Sequence, residues 1–213
     1  MNTPFDKAGM DKYPYNEYSL VLKPNASVNE KIQNIKEAFI KNYKISSAKY
    51  SDPNIKLVTF VQFEEMEARL LNRLHTIALG YRSFKVDLKN YGSLPSHTIF
   101  INIESKQQIR NLVKELTQAR ALLTLNQQHK PHFLDDHHLT IARGLLPWQY
   151  EQGWKEYIHK DFSAHFFAES ILLLKRPVTV YPERYQVLGK YQLARQFSFM
   201  NLPIAIKQGN LFS

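Results

Sequence analysis

The chain has 213 residues, 44% of them hydrophobic, with 28 Lys and Arg against 19 Asp and Glu and a formal net charge of +9. This is enough apolar material for one core or two tightly joined lobes; the positive balance favours encounter with polyanions such as RNA or nucleotides, yet no tract of consecutive Lys or Arg marks a dedicated nucleic-acid arm. The lack of cysteine excludes disulfides, thiolate metal sites and cysteine nucleophiles and fits a reducing compartment, so a cytoplasmic location is expected; no apolar run of signal-peptide or membrane-spanning length occurs.

In chain order, Tyr18 to Leu22 reads as a strand ended by Pro24 and Asn25. Ser27 and Glu30 fit a capping box, and Val28, Ile32, Ile35 and Phe39 recur at helical spacing to about Tyr43. Ile55 to Phe63 is rich in β-branched and aromatic residues and reads as a buried strand. Met66, Leu70, Leu74 and Ile77 form the stripe of a second helix, which Gly80 is placed to end in the left-handed conformation. Phe84, Val86 and Leu88 alternate as a strand that returns through Thr98 to Ile103 as a hairpin.

Ser105 and Gln108 repeat the capping pattern before a third helix, with Ile109, Leu112, Val113 and Leu116 on its buried face, running to about Leu123. A polar loop leads to a short strand, His138 to Ala142. Pro147 opens a fourth helix with Trp154, Tyr157, Ile158 and Phe162 on its inner side, and the last strands are read as Phe166 to Leu174 and Tyr185 to Leu193. Strands and helices are thus intermixed, and the two halves contain similar units without a sequence repeat of fixed period.

The segment from His129 to Arg143 concentrates the chemistry: His129, His132, His137 and His138 lie beside Asp135, Asp136 and Arg143. On a strand, His138 and Thr140 point to one face, where an imidazole and a hydroxyl can address one phosphate, and His137 faces the other way. The same histidines and aspartates also invite a reading as a zinc or iron site. Their spacing matches no helical ligand pair, and a proline and a strand divide them, so a solvated loop is the expectation and no metal is assigned. Tyr43, Tyr50, Tyr81 and Tyr91, near turns, offer stacking surfaces for bases at a single-stranded end.

His138-Leu139-Thr140-Ile141, followed by Ala142 and Arg143 and preceded by Pro131, resembles the second His-x-Thr-x motif of the two-histidine phosphoesterases, the family of the 2′-5′ RNA ligases and RNA 2′,3′-cyclic phosphodiesterases. Members carry two such motifs, one on a strand of each lobe, facing each other across a groove. Thr59 stands 81 residues before Thr140, where the first motif belongs, and Leu57 then falls on its histidine.

The resemblance implies an α+β fold of two similar lobes. Each is a mainly antiparallel sheet with helices on its outer side, together enclosing a central groove; the domain spans 1–193, with a tail at 194–213. It implies action on RNA ends or cyclic nucleotides through His138, Thr140 and Thr59, without metal or cofactor, by a monomer that does not engage membranes. One imidazole serves as general base and the other as general acid, and the threonines hold phosphate. Leucine can do neither, and losing one such partner costs on the order of 10²- to 10⁴-fold in rate, so an inactive RNA- or nucleotide-binding module is the alternative. Arg143, His97 and Lys56 are the candidate substrate-binding residues. His97 stands at the start of a strand but outside a His-x-Thr pattern, and Lys56 adjoins the vacant position, where regular alternation would turn it away from Thr59 unless the strand bulges.

Overall fold

Pairing on both sides explains why the first strand, β1 (Tyr15–Leu22), begins before its apolar run: Asn16 and Glu17 are already matched with a neighbour at each edge. The computed structural model describes residues 14–45, 52–179 and 184–195. Helix α1 (Ala26–Tyr43) is capped by Asn25, whose side chain accepts the Val28 amide at 3.0 Å. The helix is therefore under way before Ser27, and the expected Ser27–Glu30 box is not its cap. Strand β2 (Ile55–Phe63) is followed by one 3-10 turn and by α2 (Glu67–Gly80). Gly80 does not take the left-handed conformation expected of it; the chain leaves α2 through an extended Tyr81 whose hydroxyl donates to the Gln108 carbonyl at 2.8 Å.

Strands β3 (Phe84–Leu94) and β4 (Thr98–Ile103) form the expected antiparallel hairpin. Helix α3 (Lys106–Leu116) passes through a 3-10 turn into the short α4 (Arg120–Leu123). Ser105 precedes α3 but does not cap it, because its hydroxyl accepts the Asp87 amide at 2.8 Å and so ties the helix start to β3. The loop beyond contains a two-residue strand, β5 (His132–Phe133), ahead of β6 (His138–Ala142). Pro147 opens α5 (Pro147–Tyr157) as expected, with the Gln149 side chain accepting the Leu146 amide and donating to the Tyr43 carbonyl. Tyr157 is buried on its inner side, whereas Ile158, beyond its end, is exposed.

The stretch read as one strand, Phe166 to Leu174, is two: β7 (Ser163–Ala168) pairs with β3, and β8 (Ser170–Pro177) pairs with β1. Buried Phe166 and Ala168 give way to buried Ile171 and Leu173. That slip of one residue in a two-residue period is where the chain leaves one sheet for the other. Strand β9 (Gln186–Gln192) closes the fold.

Two antiparallel sheets result, in the orders β5-β2-β1-β8-β9 and β6-β4-β3-β7. Helices α2, α3 and α4 back the first, α1 and α5 the second, and the buried side chains of both lobes join one hydrophobic cluster. The α+β architecture of two similar lobes is therefore present. Ala194 still pairs with Arg82 and Tyr81, so pairing extends one residue past the expected boundary, and the rest of the expected tail beyond Arg195 lies outside the described residues, as does Tyr50. No helix among the described residues is long and apolar enough to cross a membrane.

Candidate active site

Strand β1 is regular, so its odd-numbered residues share one face, and their partners on β2 share it too: Glu17 with Val61, Ser19 with Thr59, Val21 with Lys56. The register skips Leu57. This β-bulge places Leu57 and Val58 together opposite Leu20, and both are fully buried in the core behind the sheet. The expectation that Leu57 shares the groove face with Thr59, and that Lys56 turns away from it, is corrected by this single extra residue: Lys56 and Thr59 are the pair that faces out. Arg176, opposite Glu17 on β8, lies on the same face and forms an ion pair with Glu17, whose other oxygen accepts the Tyr185 hydroxyl at 2.6 Å. The Arg176 guanidinium stacks on the Tyr185 ring at 4.5 Å.

On the second sheet, His138 lies opposite Asn102 and Thr140 opposite Phe100, so the four share a face. The His138 ring rests 4.4 Å from the ring of Phe100, which fills the space left by Gly92; a Cβ on Gly92 would meet that ring at 2.6 Å. His138 Nδ1 is buried and 3.7 Å from the Asp136 carboxylate, beyond a hydrogen bond, while Lys106 pairs with Asp136 at 2.9 Å. Burial pushes the His138 imidazole below its ordinary pKa and outweighs the opposing pull of Asp136.

One short segment joins the two strands. Leu134 donates its amide to the Leu57 carbonyl at 3.0 Å, and His137 Nδ1 lies 3.1 Å from the Lys56 carbonyl, where it must be the donor. His137 is 1% exposed, and burial holds it neutral, with its pKa lowered. The bulge in β2 is thus fixed by the residues that lead straight into His138. Arg143, exposed just beyond β6, is close enough for its charge to bear on both Lys56 and Lys36. Burial, then the Arg143 charge, lowers the pKa of Lys56, with Glu17 opposing; burial likewise lowers that of Lys36 to about 8.

Most other candidates are placed elsewhere. His97 occupies the β3–β4 turn in the left-handed conformation, stacked 5.1 Å from Tyr150 of α5 and bonded to the Leu145 carbonyl. It precedes β4 at the end away from Asn102, the partner of His138, and the structure does not bring it to His138. His129 bonds Asn126, whereas His132 of β5 lies directly opposite Thr59 and so shares its face. Among the described residues no three His, Asp or Glu side chains converge as metal ligands. Tyr43 is bound to Glu156, Tyr81 to Gln108, and Tyr91 packs on Tyr157, so these rings serve the scaffold. A cavity of about 550 Å³ lined by Tyr43, Gln152 and Glu156 lies between α1 and α5, behind the second sheet and away from His138. Sequence reasoning missed Ser19, Glu17, Arg176, Tyr185, Asn102 and Phe100. A charged Glu17 beside the first apolar run was the available signal, and the others needed the register.

Two antiparallel sheets, each helix-backed and each presenting polar residues on one face, define the two-lobed phosphoesterase architecture. The sequence model of the 2′-5′ RNA ligase superfamily matches residues 26–179, and the chain belongs to that superfamily. Its fold is similar to that of the Thermus thermophilus protein TT0787, with a TM-score of 0.58 at 14% identity over 84% of this chain and 99% of that one. It is also similar to apo LigT of E. coli, with a TM-score of 0.50 at 14% identity over 84% and 98%. A search of curated proteins finds no match.

Proposed function

We propose that the groove takes the phosphodiester of an RNA 2′,3′-cyclic end or of a cyclic nucleotide. His138 works there as an acid-base group, Thr140 and Thr59 hold phosphate oxygens, and Arg143 and Lys56 supply positive charge. The observation that carries this reading is the single face shared by His138 and Thr140 on β6, together with the Lys56 and Thr59 face of β2 tied to it by His137. A neutral imidazole held low by burial is suited to accept a proton near neutral pH. LigT of E. coli, similar in fold, has been crystallised with phosphate and with 3′-AMP, which fits a phosphate-binding groove. The reaction calls for no metal or cofactor, since side chains provide both the charge and the proton transfer.

The test pairs hydrolysis of nucleoside 2′,3′-cyclic phosphates and of a cyclic-phosphate-ended oligoribonucleotide with titration of 3′-AMP, for wild type and His138→Ala. Turnover lost in His138→Ala supports the enzyme. The absence of histidine from β2 favours a second reading, a binding module without catalysis. Binding of 3′-AMP by wild type without turnover would establish it, and failure to bind or hydrolyse would remove both.

A further inference from the structure

We propose that Lys56 is the second proton-transfer group of this groove, the general acid that works opposite His138. This rests on the reading of the groove as a cyclic-phosphodiester site. The geometry comes from the bulge. Because the register skips Leu57, Lys56 joins Thr59, Ser19 and Glu17 on the face toward the groove, and it is the titratable residue that β2 presents there. Its backbone is held from the segment that leads into His138, through the bonds of His137 to the Lys56 carbonyl and Leu134 to the Leu57 carbonyl. Among the described residues no ion pair or side-chain hydrogen bond engages its ammonium, while the carboxylate on its face, Glu17, is taken by Arg176 and Tyr185.

Around Lys56 stand Glu17 on β1, Arg176 on β8 and Arg143 after β6, with His132 of β5 on the same face opposite Thr59 and His137 bonded to the Lys56 carbonyl. Burial, then the Arg143 charge, with Arg176 adding and Glu17 opposing, favours loss of a proton from the Lys56 ammonium. Burial lowers the His138 pKa as well, which favours the neutral ring that accepts a proton. An ammonium that gives up its proton more readily, facing an imidazole that is free to accept one, suits an acid-base pair. In the step itself, His138 removes a proton from water as the water oxygen bonds to phosphorus. The bond from phosphorus to one ribose oxygen breaks, and that oxygen takes its proton from Lys56. Imidazolium and amine then exchange protons with solvent, leaving a monoester and no net change in the protein.

The experiment is steady-state hydrolysis of a nucleoside 2′,3′-cyclic phosphate by the full chain from about pH 5 to about pH 10. Lys56→Met, Lys56→Arg and Lys56→His are compared with wild type, and 3′-AMP affinity is measured in parallel. Lys56→Met is expected to lose about 10²-fold or more in kcat with 3′-AMP affinity changed less than about tenfold. Lys56→Arg keeps the charge but cannot release a proton, so it stays slow. Lys56→His recovers rate, with the alkaline limb of its profile moved to lower pH. A Lys56→Met rate within about threefold of wild type, or a Lys56→Arg rate equal to wild type, overturns the proposal. Wild type that binds 3′-AMP but hydrolyses nothing overturns the role of Lys56 alone, whereas wild type that does neither overturns the groove reading beneath it.

Discussion

Placing histidine at position 57 tests the bulge directly. If β2 ran without interruption, Leu57→His would put an imidazole beside Thr59 and restore a His-x-Thr pair. With the bulge it buries that imidazole instead. Leu57 is fully buried, so its loss forfeits about 1.5 to 3 kcal/mol of apolar burial. A polar ring left there without a partner costs about 1 to 3 kcal/mol more. The total, roughly 2.5 to 6 kcal/mol, is a large part of the about 5 to 15 kcal/mol that holds a domain folded. For a chain of this length each kcal/mol is worth about 2 to 4 °C, so Tm should fall by roughly 5 to 24 °C with no gain in hydrolysis. Thermal unfolding followed by circular dichroism, beside a cyclic-phosphate assay, reads both effects. A variant that keeps the wild-type Tm and gains turnover refutes the bulge and returns Leu57 to the groove.

His137→Ala removes the donor that His137 offers the part-buried Lys56 carbonyl, a loss of about 1 to 3 kcal/mol that a lowered urea midpoint should register; an unchanged midpoint would mean that the bond contributes nothing. Burial holds His137 and His138 with lowered pKa values, so the unfolded chain takes up protons first. The stability these groups give is complete above the ordinary imidazole value of about 6.5 and is lost as pH falls below it. Urea midpoints at about pH 7.5 and about pH 5.5 should therefore drop on acidification, and less so in His137→Gln; a slope that His137→Gln leaves intact would place the titration elsewhere. Gly92→Ala forces a Cβ to within 2.6 Å of Phe100, the ring against which His138 rests. A misplaced imidazole costs about tenfold or more in rate, so kcat should fall while the fold survives, and an unaffected kcat would show that Phe100 does not position His138.

Much of the fold was legible because its strongest signals are local. β2, β4 and the C-terminal end of α1 stand where apolar period and residue type place them, and Pro147 begins α5. On β6 the shared face of the candidate residues was legible as well, since His138 and Thr140 sit on a short strand with no irregularity between them, and alternation alone puts them on one face. The capping residues failed for a different reason. Ser105 has a hydroxyl of the right kind, but the Asp87 amide of β3 competes for it across 18 residues of sequence, a partner that no local pattern contains.

The two largest misreadings share one physical cause. Alternation identifies faces by counting residues, so one uncounted residue inverts every assignment beyond it. At Glu169 the inversion carries the chain from the second sheet to the first; at Leu57 it exchanges a core side chain for a lysine in the groove. Each left a trace in the sequence: apolar residues on adjacent positions, Leu57 and Val58, and a buried phase that moves from even to odd positions after Ala168. Neither trace fixes which residue is extra, because two adjacent apolar side chains on a strand buried on both sides look the same as a bulge. Only the partner strand decides, through the unbroken odd-numbered face of β1. The consequence is chemical as much as geometric: with Leu57 on the face of Thr59, β2 would offer nothing there that titrates, and with Lys56 there it offers an ammonium whose backbone is tied to the segment leading into His138.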